Sequence, residues 1–221
     1  SDKFILIVKK LSDDVAEKSK KRVVNDFDKL YQKYLHEYKI IFMDSYDELN
    51  NADDYIGFLD ACLSKMPLNT VHQVERPEVE RYLTQCYILS QLEDIKQQHD
   101  INDERVLTYC QPILDIKTGK YTSAEALMRL QLDSSIYFPD QFIPLAENHG
   151  CIHVLSEIIL NKVCKQIGYL MEEGYKFERI SVNFSFTELR NKHFSNDITR
   201  IIDRLNIPYE KVAIELTETR T

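Results

Sequence analysis

Glycine is the first shortage. Only 5 of the 221 residues are Gly, and neither GxxxxGKS/T nor GxGxxG occurs. That argues against a glycine-rich loop cradling a nucleotide phosphate. Cysteine is sparse and scattered. Cys62, Cys86, Cys110, Cys151 and Cys164 show no CxxC or His-rich spacing. An odd, dispersed set reads as reduced thiols, so a cytoplasmic location is expected. Long apolar runs are missing too; none approaches the ~20 residues that span a bilayer. No signal-peptide pattern is read at the start. Positive charge is in deficit, with a net charge of −8 and a pI near 5.3. That argues against a nucleic-acid polymer held by broad phosphate neutralisation. A small anionic ligand stays open, because a metal neutralises phosphate locally.

What is present is an ordinary globular composition, 43% hydrophobic and 29% charged, with length for one large domain or two small ones. Phe4 to Val8 reads as an apolar strand beginning almost at the first residue. Ser12 is a plausible N-cap for a long amphipathic helix over 13–35, with the Lys-rich run from Lys18 to Arg22 on its solvated face. Tyr38 to Met43 is a second strand, and Asn50, Asn51 and Asp53 cap a short helix through Lys65. The polar stretch between Pro67 and Pro77 reads as a boundary. A helix from about Glu78 to Gln98 follows, with Tyr82, Cys86, Leu89, Leu92 and Ile95 on one face.

From Glu104 the pattern turns to strand and helix alternation. Strands are expected at 105–116, 121–130, 179–186 and 211–216. Helices are expected at Pro139–Asn148, Val154–Met171 and Ser195–Leu205. Parallel strands joined by helices point to an α/β fold, doubly wound or a barrel.

Alternation along each strand sorts the side chains. Ser181, Asn183 and Ser185 share one face, and so do Ala213, Glu215 and Thr217 on the last strand. Glu125, Leu127 and Arg129 share a face of the second strand, and Gln111 lies with Tyr109 and Ile113 on the first. The opposite faces of the last two strands, with Ile180, Val182, Phe184, Val212, Ile214 and Leu216, suit a layer of helices. An acid among small and apolar strand residues needs a partner. Glu125, Asn183 and Glu215 supply only oxygen donors, which suits Mg²⁺ or Mn²⁺. Arg129 is a candidate bidentate phosphate donor on the same strand face as Glu125. Together these residues suggest metal-assisted phosphoester hydrolysis.

Six motifs carry a resemblance. They are Gln111-Pro112-Ile113, Thr118-Gly119, Glu125-Ala126-Leu127-Met128-Arg129, Pro139 with Phe142 to Glu147, Ser181-Val182-Asn183-Phe184-Ser185, and Glu215-Leu216-Thr217-Glu218. In that order, residues 104–221 resemble the first half of an EAL domain, the bacterial cyclic-di-GMP phosphodiesterase. The resemblance implies a modified, TIM-like (β/α) barrel that hydrolyses cyclic-di-GMP to pGpG with Mg²⁺ or Mn²⁺. It implies Glu125, Asn183 and Glu215 as metal ligands, Arg129 at the ligand phosphate, and Gln111 and Leu127 lining the nucleotide site. Glu218 is then a supporting residue behind the site, and Pro139 and Glu147 either touch the ligand or set their helix over the rim. The family's paired aspartates, catalytic lysine and later glutamate would lie past Thr221. The 221 residues alone are therefore expected to be inactive, with two strand edges open, although the intact protein hydrolyses. Full EAL domains often pair, so a homodimer is an option.

Residues 1–75 resemble the second half of a degenerate GGDEF (diguanylate cyclase-like) domain, an α+β remnant, and 76–103 its connecting helix into EAL. Ser1-Asp2-Lys3-Phe4 stands where Gly-Gly-Asp/Glu-Glu-Phe would, with Lys3 replacing an acid. Leu59-Asp60-Ala61-Cys62-Leu63 loosely echoes that family's Ala-Asp-x-Ala-Leu helix. A chain cut inside one domain at each end is the expectation.

Plainer readings stand beside these. Glu125 paired with Arg129 would be a structural ion pair, and Asn183 a satisfied core amide. Arg129 would serve packing, Gln111 a backbone cap, Cys110 a packed thiol and Glu147 a helix-end surface residue. Tyr31 and Tyr34 read as core or contact residues. His149, His153 and His193 show no metal-ligand spacing and read as surface or loop histidines. A module that binds cyclic-di-GMP, or another protein, without turnover is the alternative function.

Overall fold

A computed structural model describes residues 5–6, 12–34 and 37–217. The chain divides into two compact units, Ser1–Leu83 and Thr84–Thr221. The strand expected at 4–8 lies mostly outside the described residues, as do Glu218 and the segment Ser1 to Phe4; Ile5 and Leu6 are exposed and form no regular element. The side chains of Tyr31 and Tyr34 are outside the description too.

In the first unit, α1 (Asp13–Tyr34) is followed by β1 (Lys39–Phe42), α2 (Ala52–Lys65) and β2 (Thr70–Gln73). Asn51 caps α2, its side chain accepting from the Asp54 amide at 3.0 Å. β1 and β2 pair in parallel, Lys39 opposite Thr70 through Phe42 opposite Gln73. The stretch between the prolines is thus partly a strand, not simply a polar boundary. Its Thr-Val-His-Gln sequence is short, and even its one aliphatic residue, Val71, is exposed. That left no apolar run to read. Tyr46, Leu49, Phe58, Val74 and Val79 form this unit's core. Val15, Phe27 and Leu30, on the expected apolar side of α1, are exposed.

The unit division falls inside α3 (Arg76–Gln98). Its buried residues do not follow a single stripe. Val79 belongs to the first core, while Ile88, Leu92 and Ile95 belong to the second. Cys86, expected on the buried face, is exposed, and Ile88 is buried instead.

The second unit holds β3 (Val106–Asp115), β4 (Lys120–Leu132), β5 (Ser135–Tyr137), α4 (Pro139–Asn148), α5 (Ile152–Glu172), β6 (Arg179–Ser185), α6 (Phe194–Arg204) and β7 (Val212–Thr217). The sheet runs β3-β4-β6-β7, with β5 paired to β4. It is mixed, not purely parallel. β3 and β4 are antiparallel, as are β4 and β5; β4, β6 and β7 are parallel. The reason is loop length. Only Ile116 to Gly119 separate β3 from β4, whereas a parallel crossover needs about a dozen residues or more. Gly119 sits at φ 67°, the left-handed conformation that this turn requires.

Pro139 opens α4, where its missing N–H costs nothing. Gly150, at φ 64°, follows the helix end. α5 is buried along most of its length and packs with β6 and α6. Val182, Ile180 and Phe184 of β6 are buried on the helix side, as expected. On β7 the matching Ile214 and Leu216 remain 38% and 48% exposed, so among the described residues the helical layer stops short of it. A buried ion pair secures the entry to β3. Asp103 accepts from Arg105 Nε at 3.0 Å and from Nη2 at 2.7 Å, and Arg105 Nη1 reaches Asp94 of α3 at 2.7 Å.

Candidate functional site

The non-helical face of the sheet is set by strand register. Gln111 stands opposite Glu125, and Glu125 opposite Ser181. Asn183 stands opposite Glu215 on β7. Directly paired residues project to the same face. Gln111, Glu125, Asn183 and Glu215 therefore share one side, with Leu127 and Arg129 further along β4.

Glu125 and Asn183 lie on adjacent parallel strands, two residues apart in register. That diagonal is short enough for contact: Asn183 Nδ2 donates to Glu125 Oε1 at 2.7 Å. Both side chains are half-buried. Glu215 is exposed on the neighbouring strand, level with Asn183. Thr217 Oγ1 donates to the Phe184 carbonyl at 3.2 Å and ties the end of β7 to β6.

The donors fit a hard divalent cation. The amide that now donates to Glu125 presents its Oδ1 after a half-turn, leaving two oxygens near the same 2.7 Å separation. Neighbouring oxygens on an octahedral Mg²⁺, with bonds of about 2.0–2.1 Å, are about 2.9 Å apart. Glu215 would add a carboxylate from the next strand. No nitrogen or sulfur donor stands in this set.

Arg129 does not pair with Glu125 among the described residues. Its Nη1 donates to the Met128 carbonyl at 2.7 Å. Its guanidinium lies over two rings, 4.8 Å from the Phe138 centroid and 5.6 Å from that of Tyr109. Cation–π contact engages the group without consuming its remaining donors. Leu127 is half-buried and stands opposite Tyr109. Gln111 is exposed. Cys110 is exposed rather than packed, and lines a cleft of about 550 Å³ on the opposite face, with Thr108, Ala124, Lys162 and Ile180. The surrounding cleft wall partly desolvates its thiol and pushes the pKa up.

Glu147 is not a free helix-end residue. Half-buried at the end of α4, it accepts a hydrogen bond from Ser185 Oγ at the C-terminal end of β6. That contact ties the end of α4 to the end of β6. Glu188, just beyond β6, was overlooked in the sequence. Its Oε2 accepts from the Ser185 amide at 2.9 Å and from Ser156 Oγ at 3.0 Å. Desolvation pushes its carboxyl up to about 7, against the lowering effect of these bonds and of His153. The signal for it was legible: Ser185-x-x-Glu188 is a capping box.

A family model described as EAL domain matches residues 75–221. The signaling protein YkoW of Bacillus subtilis (strain 168) is 30% identical over 122 residues, covering 55% of this chain and 15% of that protein. The probable cyclic di-GMP phosphodiesterase PdeB of Escherichia coli (strain K12) is 29% identical over 142 residues, covering 62% of this chain and 27% of that protein. The chain thus spans 15% to 27% of the length of these relatives. Among solved structures, the PaMucR phosphodiesterase in complex with c-di-GMP matches with a TM-score of 0.50 and 23% identity, over 56% of this chain and 50% of that one. The EAL enzyme Bd1971 in its cAMP-bound form matches with a TM-score of 0.52 and 19% identity, over 77% and 44%. Both structures share the fold of this chain over the matched part.

Proposed function

The chain belongs to the EAL domain family, and from that premise we propose that it serves cyclic-di-GMP signalling, its Glu125 face forming part of a metal-dependent phosphodiesterase site in the intact protein. The observation that carries this reading is the 2.7 Å contact between Asn183 and Glu125 across adjacent parallel strands. The name of the Escherichia coli relative supports the substrate and the reaction.

Glu125, Asn183 and Glu215 would hold Mg²⁺ or Mn²⁺. Such an ion would supply a water of lowered pKa and offset charge on the phosphoryl oxygens. The chain's own residues do the rest. Arg129, placed over Phe138 and Tyr109, offers its remaining N–H groups to a ligand phosphate. Gln111 and Leu127 line the nucleotide, and Glu218 is assigned a supporting role by its motif. Glu147 ties α4 to β6 through Ser185.

The finer architecture belongs to the same proposal. Residues 104–221 form a partial TIM-like (β/α) barrel of the EAL type, 76–103 a connecting helix, and 1–75 a degenerate GGDEF-like domain with a regulatory or structural role. The protein acts in the cytoplasm, where homodimer formation is an option.

The test is incubation of the intact protein with cyclic-di-GMP and Mn²⁺, followed by chromatography. pGpG is expected, and Glu125→Ala abolishes it. Undiminished turnover in that variant overturns the reading. Binding without product assigns the chain to the non-hydrolysing sensors instead.

A further inference from the structure

A second group of metal-ligating side chains lies away from the sheet face. His153 and Glu157 stand four residues apart on α5, so they project from one side of that helix. Asp197 of α6 faces them. One ligand atom from each of the three lies within 4.8 Å of the others. His153 Nε2 and Asp197 Oδ2 are 3.3 Å apart, about the edge of a tetrahedron with metal–ligand bonds of about 2.0–2.1 Å. The sequence reads His153 as a surface or loop histidine; in the fold its neighbours are carboxylates, one of them from another helix.

A second observation concerns the far side of the His153 ring. The Glu188 side chain is 1% exposed, and its Oε1 has no hydrogen-bond partner among the described residues. That oxygen faces His153 Nδ1 at 3.8 Å, beyond hydrogen-bond reach. A carboxylate aimed at the far nitrogen of an imidazole is the arrangement that orients a metal-binding histidine. An ion at Nε2 fixes the proton on Nδ1, and a small rotation of the ring brings it to Glu188 Oε1.

We propose that His153, Glu157 and Asp197 form a second divalent-cation site, separate from the Glu125 face and selective for a Zn²⁺-like ion, with Glu188 orienting His153. One imidazole and two carboxylates suit Zn²⁺ better than Mg²⁺ and leave a fourth position open. The cation now nearest is Arg200, whose Nη2 lies 3.1 Å from Glu157 Oε1 and 3.2 Å from Asp197 Oδ1. Its side chain is 68% exposed, so it is screened by water and free to leave. Glu157 Oε2 stays bonded to His99 Nε2 at 2.8 Å, which holds that carboxylate in place. Arg200 is therefore a competitor of the ion, and this sets the sign of the decisive variant.

The experiment is calorimetric titration of Zn²⁺ into the full 221-residue chain carrying Glu125→Gln, with exposed thiols alkylated and Mg²⁺ in excess. That background silences the sheet face, so the result is independent of the phosphodiesterase reading. One Zn²⁺ per chain is expected. His153→Gln and Asp197→Asn each weaken it at least tenfold, and Arg200→Gln tightens it at least threefold. Circular dichroism verifies the fold of each variant, and Asp197→Asn carries the test should His153→Gln unfold. No Zn²⁺ uptake, a titration unchanged by both ligand variants, or weaker binding in Arg200→Gln overturns the proposal. The last result is what a simple ion-pair network would give.

Discussion

Asn183 reaches Glu125 from the next strand, its Nδ2 2.7 Å from Oε1, because parallel register sets the two residues on a diagonal of one sheet face. Removing the amide leaves Glu125 without that partner. In the intact protein, Asn183→Ala removes both a proposed ligand and the partner of Glu125, and is expected to raise the Mn²⁺ concentration for half-maximal cyclic-di-GMP turnover by at least roughly 10–100-fold, the range for loss of an outer partner alone. Glutamine at that position is too long for the diagonal and rescues little. Steady-state rates against Mn²⁺ concentration measure this.

Arg129 is pre-set by two rings rather than by an acid. Arg129→Ala is expected to weaken cyclic-di-GMP binding roughly 10–150-fold, the equivalent of about 1.5–3 kcal/mol for a hydrogen bond to a charged group. Arg129→Lys recovers only part, because the ammonium keeps the charge but loses the planar fork. Thermal stability changes little in either variant. Calorimetry at fixed salt reads the affinities.

Glu188 makes stability depend on pH in a defined direction. Its carboxyl titrates at about 7 in the folded chain, against an ordinary 4.5, chiefly through desolvation. Between those values the folded state binds more protons than the unfolded one, so stability falls as pH rises from about 4.5 to 7. Glu188→Gln keeps an acceptor for Ser185 and Ser156 while removing the charge. It should flatten this slope and raise the melting temperature at pH 8, in buffer with a chelator. Denaturation at a series of pH values checks it.

Asp103 works in the opposite sense. Burial raises its pKa, but the bonds from Arg105 outweigh this and hold it below the ordinary 3.8. The stability it contributes is present above that value and is lost as pH falls through the folded one. Asp103→Asn is expected to cost about 2–3 kcal/mol at pH 7, since it leaves Arg105 half-paired. The difference from the unaltered chain should shrink below pH 4. Urea unfolding at pH 7 and pH 3.5 compares them.

Much of the second unit was legible in the sequence. α4 follows its predicted bounds because Pro139 and the following Gly150 punctuate both ends. Alternation along β4 and β6 correctly assigned Glu125 and Asn183 to the polar face and Val182 to the core. Apolar runs carry no direction, so the general expectation of parallel strands holds for β4, β6 and β7, while the short turn ending at Gly119 makes β3 and β4 a hairpin. β2 and β5, of four and three residues, were too short for a periodic signal. The His153, Glu157 and Asp197 group joins two helices, and no sequence spacing between α5 and α6 announces it.

The most direct measurement of the central claim is Mn²⁺ binding, read from the loss of the free-ion electron paramagnetic resonance signal. The chain carrying His153→Gln, which silences the second group, is compared with the same chain carrying Glu125→Ala or Glu215→Ala in addition. The account predicts an Mn²⁺ site in the His153→Gln background that is lost in both further variants. Equal binding with and without Glu125 and Glu215 would contradict it.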